Sequence, residues 1–321
     1  MLAALVHKYG RIDDIRIREV PPLEPGESEV LIDVRYAGVN YPDVLITKGL
    51  YQFKPDLPFS PGGEVAGVVK SVGKNVTSLV AGERVLAAAG WGGFAEEAIF
   101  PAGNCFVLPD QVGFRQASVL LETYATAYHA LVDRALLRPK ERVVVLGAGG
   151  GTGIATVQLA KKMGAEVVAV AGSREKLDFC TENGADHCIN YEKEDLKSAL
   201  KSVGGSNVIF DPVGGSASEA AFRSLNPGGR HLVVGFASGD IPALPWNLPL
   251  LKSASIVGVF WGGFWRNFPQ KNQANVEVLL QWLAEGEISP QITREYTIRD
   301  VHKALEDIDQ RKALGKIVIK M

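Results

Sequence analysis

The sequence is short of cysteine and methionine, has no long uninterrupted apolar tract, and carries no excess of either charge. Each shortage removes a class of protein. Cys105, Cys180 and Cys188 are the only three cysteines, no two of them form CxxC, and the count is odd. A disulfide framework is therefore not expected, and a reducing compartment is. The longest apolar tract, 254–265, is broken by Gly258, Gly262 and Gly263 and is too short to cross a bilayer. The apolar run at the start, Met1 to Val6, is too short for a secretory signal, so a cytoplasmic protein is expected. A net charge of −2 offers no basic patch to nucleic acid or to an anionic membrane surface.

What is present is enough chain, 321 residues, for two domains with cores of their own, and 35 glycines, which suit a turn-rich α/β protein better than a helix bundle. The organising stretch is Val143 to Gly153, a β-branched apolar run ending in a glycine cluster and followed by an alanine-rich amphipathic segment. That order predicts strand, tight turn, helix. Its spacing is Ala148-x-Gly150-x-x-Gly153, a dinucleotide-type turn with alanine in place of the first glycine. From 143 to 259 strand and helix patterns alternate, with strands expected near 143, 167, 187, 208, 232 and 256. Alternation of this kind implies parallel strands joined by helical crossovers. Residues 1 to about 120 read instead as short strands and turns, with a short helix at Asn40 to Thr47. Gln116 to Leu137 has a helical period throughout. The tail holds two amphipathic helices and a strand at Lys316 to Lys320, with no sheet of its own to join. The expected organisation is a first domain over 1–122, a dinucleotide-binding domain over 123–263, and a return to the first domain over 264–321.

The end of the second strand of such a sheet selects the nucleotide. A carboxylate there binds the ribose 2′-hydroxyl and repels a 2′-phosphate. Here the strand runs into Gly172-Ser173-Arg174-Glu175-Lys176, with a hydroxyl and two cations within one turn. Arginine's planar fork suits phosphate, so NADPH is the expected cofactor. Ser173 is equally suited to cap the next helix, and the two roles are compatible.

Several motifs together resemble the medium-chain dehydrogenase/reductases, and among them the zinc-free quinone oxidoreductases. They are Gly38-Val39-Asn40-x-x-Asp43, Pro61 to Gly67, Gly82 to Val85, Gly93 to Glu96, Thr126 to Leu131, Gly147 to Gly153, Phe210 to Gly215 and Gly315-Lys316. The resemblance covers nearly the whole chain. It implies an α/β fold: a doubly wound, parallel, six-stranded Rossmann sheet plus an irregular, mainly antiparallel β (GroES-like) catalytic domain. Zinc-dependent relatives carry a metal-binding cysteine and histidine where this chain has Asn40 and Gly63, so no metal site is expected.

The resemblance implies an NADPH-dependent reductase passing hydride directly to a quinone. It also implies the residues involved. Gly150, Gly151, Thr152 and Gly153 are expected around the pyrophosphate, with Ser173, Arg174, Lys176 and Tyr191 on the phosphate side. Thr126, Gly235 and Phe236 are expected at the nicotinamide, Phe260 and Trp261 along the pocket, and Lys316 near the cofactor. Asn40 and Tyr51 are the candidate polar groups at the acceptor. Leu45 stands where relatives often carry tyrosine, and aromatic residues around Phe260 replace an expected arginine. Two alternatives therefore stay open: reduction of an activated C=C bond in an enone, enal or acrylate-type acceptor, and NADPH binding without catalysis. The expected partners are a small conjugated acceptor and a second copy of the chain, paired as a homodimer through the sheet edge at Ser255 to Phe260. No nucleic acid or membrane is expected.

Overall fold

A computed structural model describes residues 1–321. The chain forms two units, one of Met1–Glu122 with Glu277–Met321, the other of Thr123–Val276. The second unit thus continues past 263, the boundary expected from the sequence, and ends at Val276 inside the helix over 269–284.

The first unit opens with an antiparallel pair, β1 (Leu2–Leu5) and β2 (Arg16–Glu19). The long strand β3 (Glu29–Val39) follows and leads into helix α1 (Tyr41–Thr47). Next come β4 (Glu64–Val72), β5 (Arg84–Ala88), β6 (Glu97–Pro101) and the three-residue β7 (Cys105–Val107). β3 pairs antiparallel with both β4 and β6. Its residues Val30, Ile32, Val34, Ala37 and Val39 are buried, together with Val65 on β4 and Val85 on β5. Each of the valines and Ile32 removed from water contributes about 1.5–3 kcal/mol.

The link 116–137 is not the single helix that its apolar period suggests. It breaks into two wide π-helical turns, Leu121–Ala125 and His129–Arg134, around one α-turn at Thr126–Tyr128. Wide turns of this sort often mark functional positions in helices.

The second unit is a six-stranded sheet built from β8 (Arg142–Leu146), β9 (Glu166–Ala171), β10 (His187–Asn190), β11 (Ser206–Asp211), β12 (Leu225–Val233) and β13 (Ser255–Gly258). The spatial order is β10-β9-β8-β11-β12-β13, with all pairs parallel. This is the doubly wound arrangement, whose ligand site lies at the carboxyl ends of the strands where the order reverses, between β8 and β11. Val143 to Leu146 are all buried, which explains their unbroken apolar run: a central parallel strand is covered on both faces. The connecting helices are α2 (Gly151–Lys162), α3 (Arg174–Glu182), α4 (Leu196–Ser202) and α5 (Gly215–Phe222). α4 is fixed at its start by the Asp195 side chain, which accepts from Ser198 N. Two further helices, α6 (Asn247–Lys252) and α7 (Trp261–Asn267), flank β13.

Helix α8 (Pro269–Ala284) crosses the division between the units, and β14 (Ile292–Thr297), helix α9 (Val301–Asp309) and β15 (Lys316–Lys320) follow. β15 is not an edge strand. It lies between β14, its parallel partner, and β3, its antiparallel partner. α9 buries Val301, Ala304 and Leu305 in the same core as β3. β7 and β14 lacked a clear strand pattern in the sequence, one for its length and the other for its exposed charged residues.

Candidate functional site

In the second unit, β8 is followed by Gly147, whose φ of +62° suits glycine. The turn closes with Gly150 N donating to Gly147 O at 3.0 Å, and α2 begins as Ile154 N donates to Gly150 O. A Cβ on Gly153 would stand 2.3 Å from Gly147 O, so only glycine lets helix and strand approach this closely. At Gly150 the same atom would be 3.4 Å away, an ordinary contact. That glycine's bare face is therefore free for a ligand rather than demanded by packing. The first amides of α2, on Gly151, Thr152 and Gly153, have no partner within the helix and sit at its positive end.

The neighbouring strand ends supply the surroundings. A Cβ on Gly149 would stand 2.9 Å from Lys176 Cβ, so the Lys176 stem lies over the glycine turn. Ser173 caps α3, its hydroxyl accepting from Lys176 N at 3.3 Å. Arg174 extends into solvent and is held by Asp178 at 2.7 Å. Tyr191 is half-exposed beyond β10, its hydroxyl above Gly172. After β11, the Asp211 carboxylate accepts from Val213 N and Gly214 N at 2.9 Å each and faces His231 Nε2 at 2.9 Å, which shapes the turn into α5. Gly235 and Phe236 follow β12, with Phe236 partly exposed. Phe260 is exposed, whereas Trp261 is buried and donates its indole N–H to Asn272 Oδ1 at 2.9 Å. The expected pair thus separates: Phe260 stays exposed with the Arg266 guanidinium over its ring at 5.8 Å, and Trp261 is core, because the helix that starts there turns its ring inward. Thr126 is half-buried and its hydroxyl makes no hydrogen bond. His129 is packed, with Nδ1 2.8 Å from Asp133 and its ring stacked on Phe264.

The first unit holds a buried polar cluster around Asn40. The Asn40 Nδ2 donates to Glu64 Oε1 at 2.9 Å, and Lys316 Nζ donates to Asn40 Oδ1 and to Val39 O. Lys316 lies 3.4 Å from Glu64 Oε1, and both side chains are almost wholly buried. The Lys316 ammonium is therefore not an exposed cation, since β15 is an inner strand. Asp43 accepts from the backbone N–H of Asn40, Gly62 and Gly63 at 2.7, 3.2 and 3.0 Å. Even so, burial pushes its carboxyl up to about 7. Glu64 accepts from the amides of Leu121 and Glu122 through its other oxygen. The Glu122 carboxyl takes no hydrogen bond, and burial, with repulsion from Glu64 and Asp43, pushes it up to about 8. Sequence reasoning overlooked Glu122; its one signal was an acid within an otherwise apolar run. Tyr51 packs against the core of this unit beside Phe53.

The sequence matches the alcohol dehydrogenase GroES-like domain family over residues 26–110 and the zinc-binding dehydrogenase family over 151–279. It is 38% identical over 310 residues to a quinone oxidoreductase-like protein 2 of Bos taurus, covering 95% of this chain and 88% of that one. A homolog of that protein in Nematostella vectensis is 39% identical over 300 residues, 92% of this chain and 82% of the other. Among solved structures, the Escherichia coli quinone oxidoreductase complexed with NADPH superposes with a TM-score of 0.93 at 26% identity, over the full length of both chains. This chain is a medium-chain dehydrogenase/reductase of the quinone oxidoreductase group.

Within that group the two-part fold expected from the sequence is borne out. The Asn40 amide is held by Lys316 and Glu64, and the place of a side chain at position 63 is bounded by Glu122 Oε1, 3.3 Å from where a Cβ would stand. No three His, Cys, Asp or Glu side chains gather in a way that could hold a metal.

Proposed function

We propose that this oxidoreductase transfers hydride from NADPH directly to a quinone, without zinc. The observation that carries the reading is the glycine turn: it packs too closely at Gly153 for any side chain, stays bare at Gly150, and has Lys176 laid over it. When bound, NADPH supplies the hydride. The amides of Gly151, Thr152 and Gly153, at the positive end of α2, hold the pyrophosphate. Ser173, Arg174, Lys176 and Tyr191 border the position of the 2′-phosphate. Gly235 and Phe236 follow the carboxyl end of β12, where such sheets receive the rest of the dinucleotide. Thr126 has a hydroxyl available to the carboxamide, and Phe260 an aromatic face for a flat acceptor. Asn40 acts as a positioning residue that ties β3, β4 and β15 together, and Tyr51 is the remaining polar candidate at the acceptor. A conjugated, electron-poor acceptor needs mainly proximity and orientation from such a site.

A second reading, reduction of an activated C=C bond, is favoured by half-buried Leu45, which removes a polar group that quinone-reducing relatives often carry. Steady-state oxidation of NADPH with 1,4-naphthoquinone and with trans-2-hexenal separates the two. Faster turnover of the quinone is expected. Preference for the alkenal supports the second reading, and tight NADPH binding without turnover of either overturns both.

We infer further that the protein is a homodimer paired through β13. This edge strand exposes Ile256, and the preceding helix α6 exposes Leu250 and Leu251. The three unpaired thiols accord with a cytoplasmic location. No helix is long and apolar enough to cross a membrane.

A further inference from the structure

The choice between NADPH and NADH is made at the end of β9, and the role assigned there rests on dinucleotide binding at the glycine turn. In doubly wound folds, a carboxylate at the end of the second strand accepts a hydrogen bond from the ribose 2′-hydroxyl. The sequence from Val170 to Arg174 contains none. The fold delivers one from a different strand. β10 runs parallel to β9 with Asn190 opposite Ala171, so the residues after Asn190 emerge beside Gly172. A Cβ on Gly172 would stand 2.9 Å from Glu192 Oε1 and 2.8 Å from the Tyr191 hydroxyl. Both groups therefore lie directly over the strand end. The Glu192 backbone is anchored, its N–H donating to Asn190 Oδ1 at 3.0 Å, while its carboxylate is exposed and makes no ion pair or hydrogen bond. On α3, Arg174 is already paired with Asp178, at 2.7 and 3.0 Å to its two oxygens. The two cations Arg174 and Lys176 are thus accompanied by two carboxylates, Asp178 on the same helix and Glu192 over Gly172, and the local charge is balanced rather than strongly basic.

We propose that Glu192 is a nucleotide-specificity residue. Its carboxylate accepts from the 2′-hydroxyl of NADH and opposes the 2′-phosphate of NADPH, so the site binds both with weak discrimination. The sequence conceals this, because the carboxylate stands next to Tyr191 and not next to Ser173.

The test is the binding of NADPH and of NADH, measured by titration calorimetry, to the wild-type protein, to Glu192→Gln and to the control Glu194→Gln. Glu194 uses its carboxylate to accept from Asn190 N and does not face Gly172. In Glu192→Gln, NADPH should bind more tightly and NADH more weakly. The ratio of their dissociation constants should shift by about tenfold at low salt, the effect of about 1.4 kcal/mol, and by less at high salt. Glu194→Gln should leave the ratio unchanged. If the wild type binds NADPH and Glu192→Gln leaves the ratio where it was, or Glu194→Gln moves it equally, the role of Glu192 is overturned and the cofactor reading stands. A wild-type protein that binds neither dinucleotide overturns both.

Discussion

Glu122 and Asp43 show how burial changes what a single carboxyl does. Burial raises both, to about 8 and about 7, with the Glu64 charge adding to the effect and Lys316 opposing it. The folded chain therefore holds these protons to higher pH than an unfolded chain does. The stability they carry is complete below the ordinary carboxylate range and is lost as pH rises through about 7 for Asp43 and about 8 for Glu122. Glu122→Gln removes one of the two ionisations. Its melting temperature should match the wild type at pH 4, below the ordinary carboxylate range, and exceed it by about 2–4 °C at pH 9, the shift that about 1 kcal/mol produces in a protein of this size. Equal melting curves across that range would show that Glu122 does not titrate there. Lys316 offers a larger effect. Its ammonium lies within ion-pair distance of buried Glu64, at 3.4 Å. Lys316→Ala leaves that carboxylate and the Asn40 amide without it, and should cost about 3–5 kcal/mol in denaturant unfolding. Lys316→Met, which restores the volume but not the charge, should recover little. None of this was legible locally. Lys316 opens a strand of five residues, and only the pairing of β15 with β3 places it beside Asn40.

At the scale of elements, the strand–turn–helix at 143–162 was the most readable part of the chain. Its apolar run, glycines and alanine-rich helix each follow from local geometry, and β8 and α2 lie where those signals put them. The two glycines in that turn have separable roles. Gly153→Ala would place a methyl 2.3 Å from Gly147 O, so it should both lower the melting temperature and weaken NADPH binding. Gly150→Ala meets only an ordinary contact, and should weaken NADPH binding by more than about tenfold, a loss of about 1.4 kcal/mol, while leaving the melting temperature almost unchanged. Loss of stability without loss of binding in Gly150→Ala would show that the pyrophosphate does not lie against that face. The link at 116–137 was less legible. Its apolar period is close to helical, but a period does not specify whether the backbone closes its hydrogen bonds at four residues or five. The wide turn that carries Glu122 was therefore invisible.

For the whole molecule, the exposed sheet edge bears on assembly. β13 ends the sheet order with unpaired backbone groups, and Ile256 on it and Leu250 and Leu251 on α6 stand exposed. An apolar edge of this kind invites a second copy unless it is guarded by charge. Sedimentation should give a dimer at micromolar concentration for the wild type, and a monomer for Ile256→Lys, with NADPH binding per chain retained. A wild-type monomer at that concentration would remove the edge-pairing proposal.

The sequence by itself determined the order of strands and helices in the second unit, the glycine turn, and the membership of both parts in one family. Those properties come from neighbours along the chain: β-branched runs, glycine's lack of a Cβ, and helical period. Only the tertiary structure decided where the charges went. It brought Glu192 from beyond β10 to the end of β9, buried Lys316 against Glu64, placed Glu122 over Gly63, and turned Trp261 into the core while leaving Phe260 outside. Each depends on which strands lie side by side and which ring a helix turns inward, and side chains far apart in the chain meet only after that packing is set.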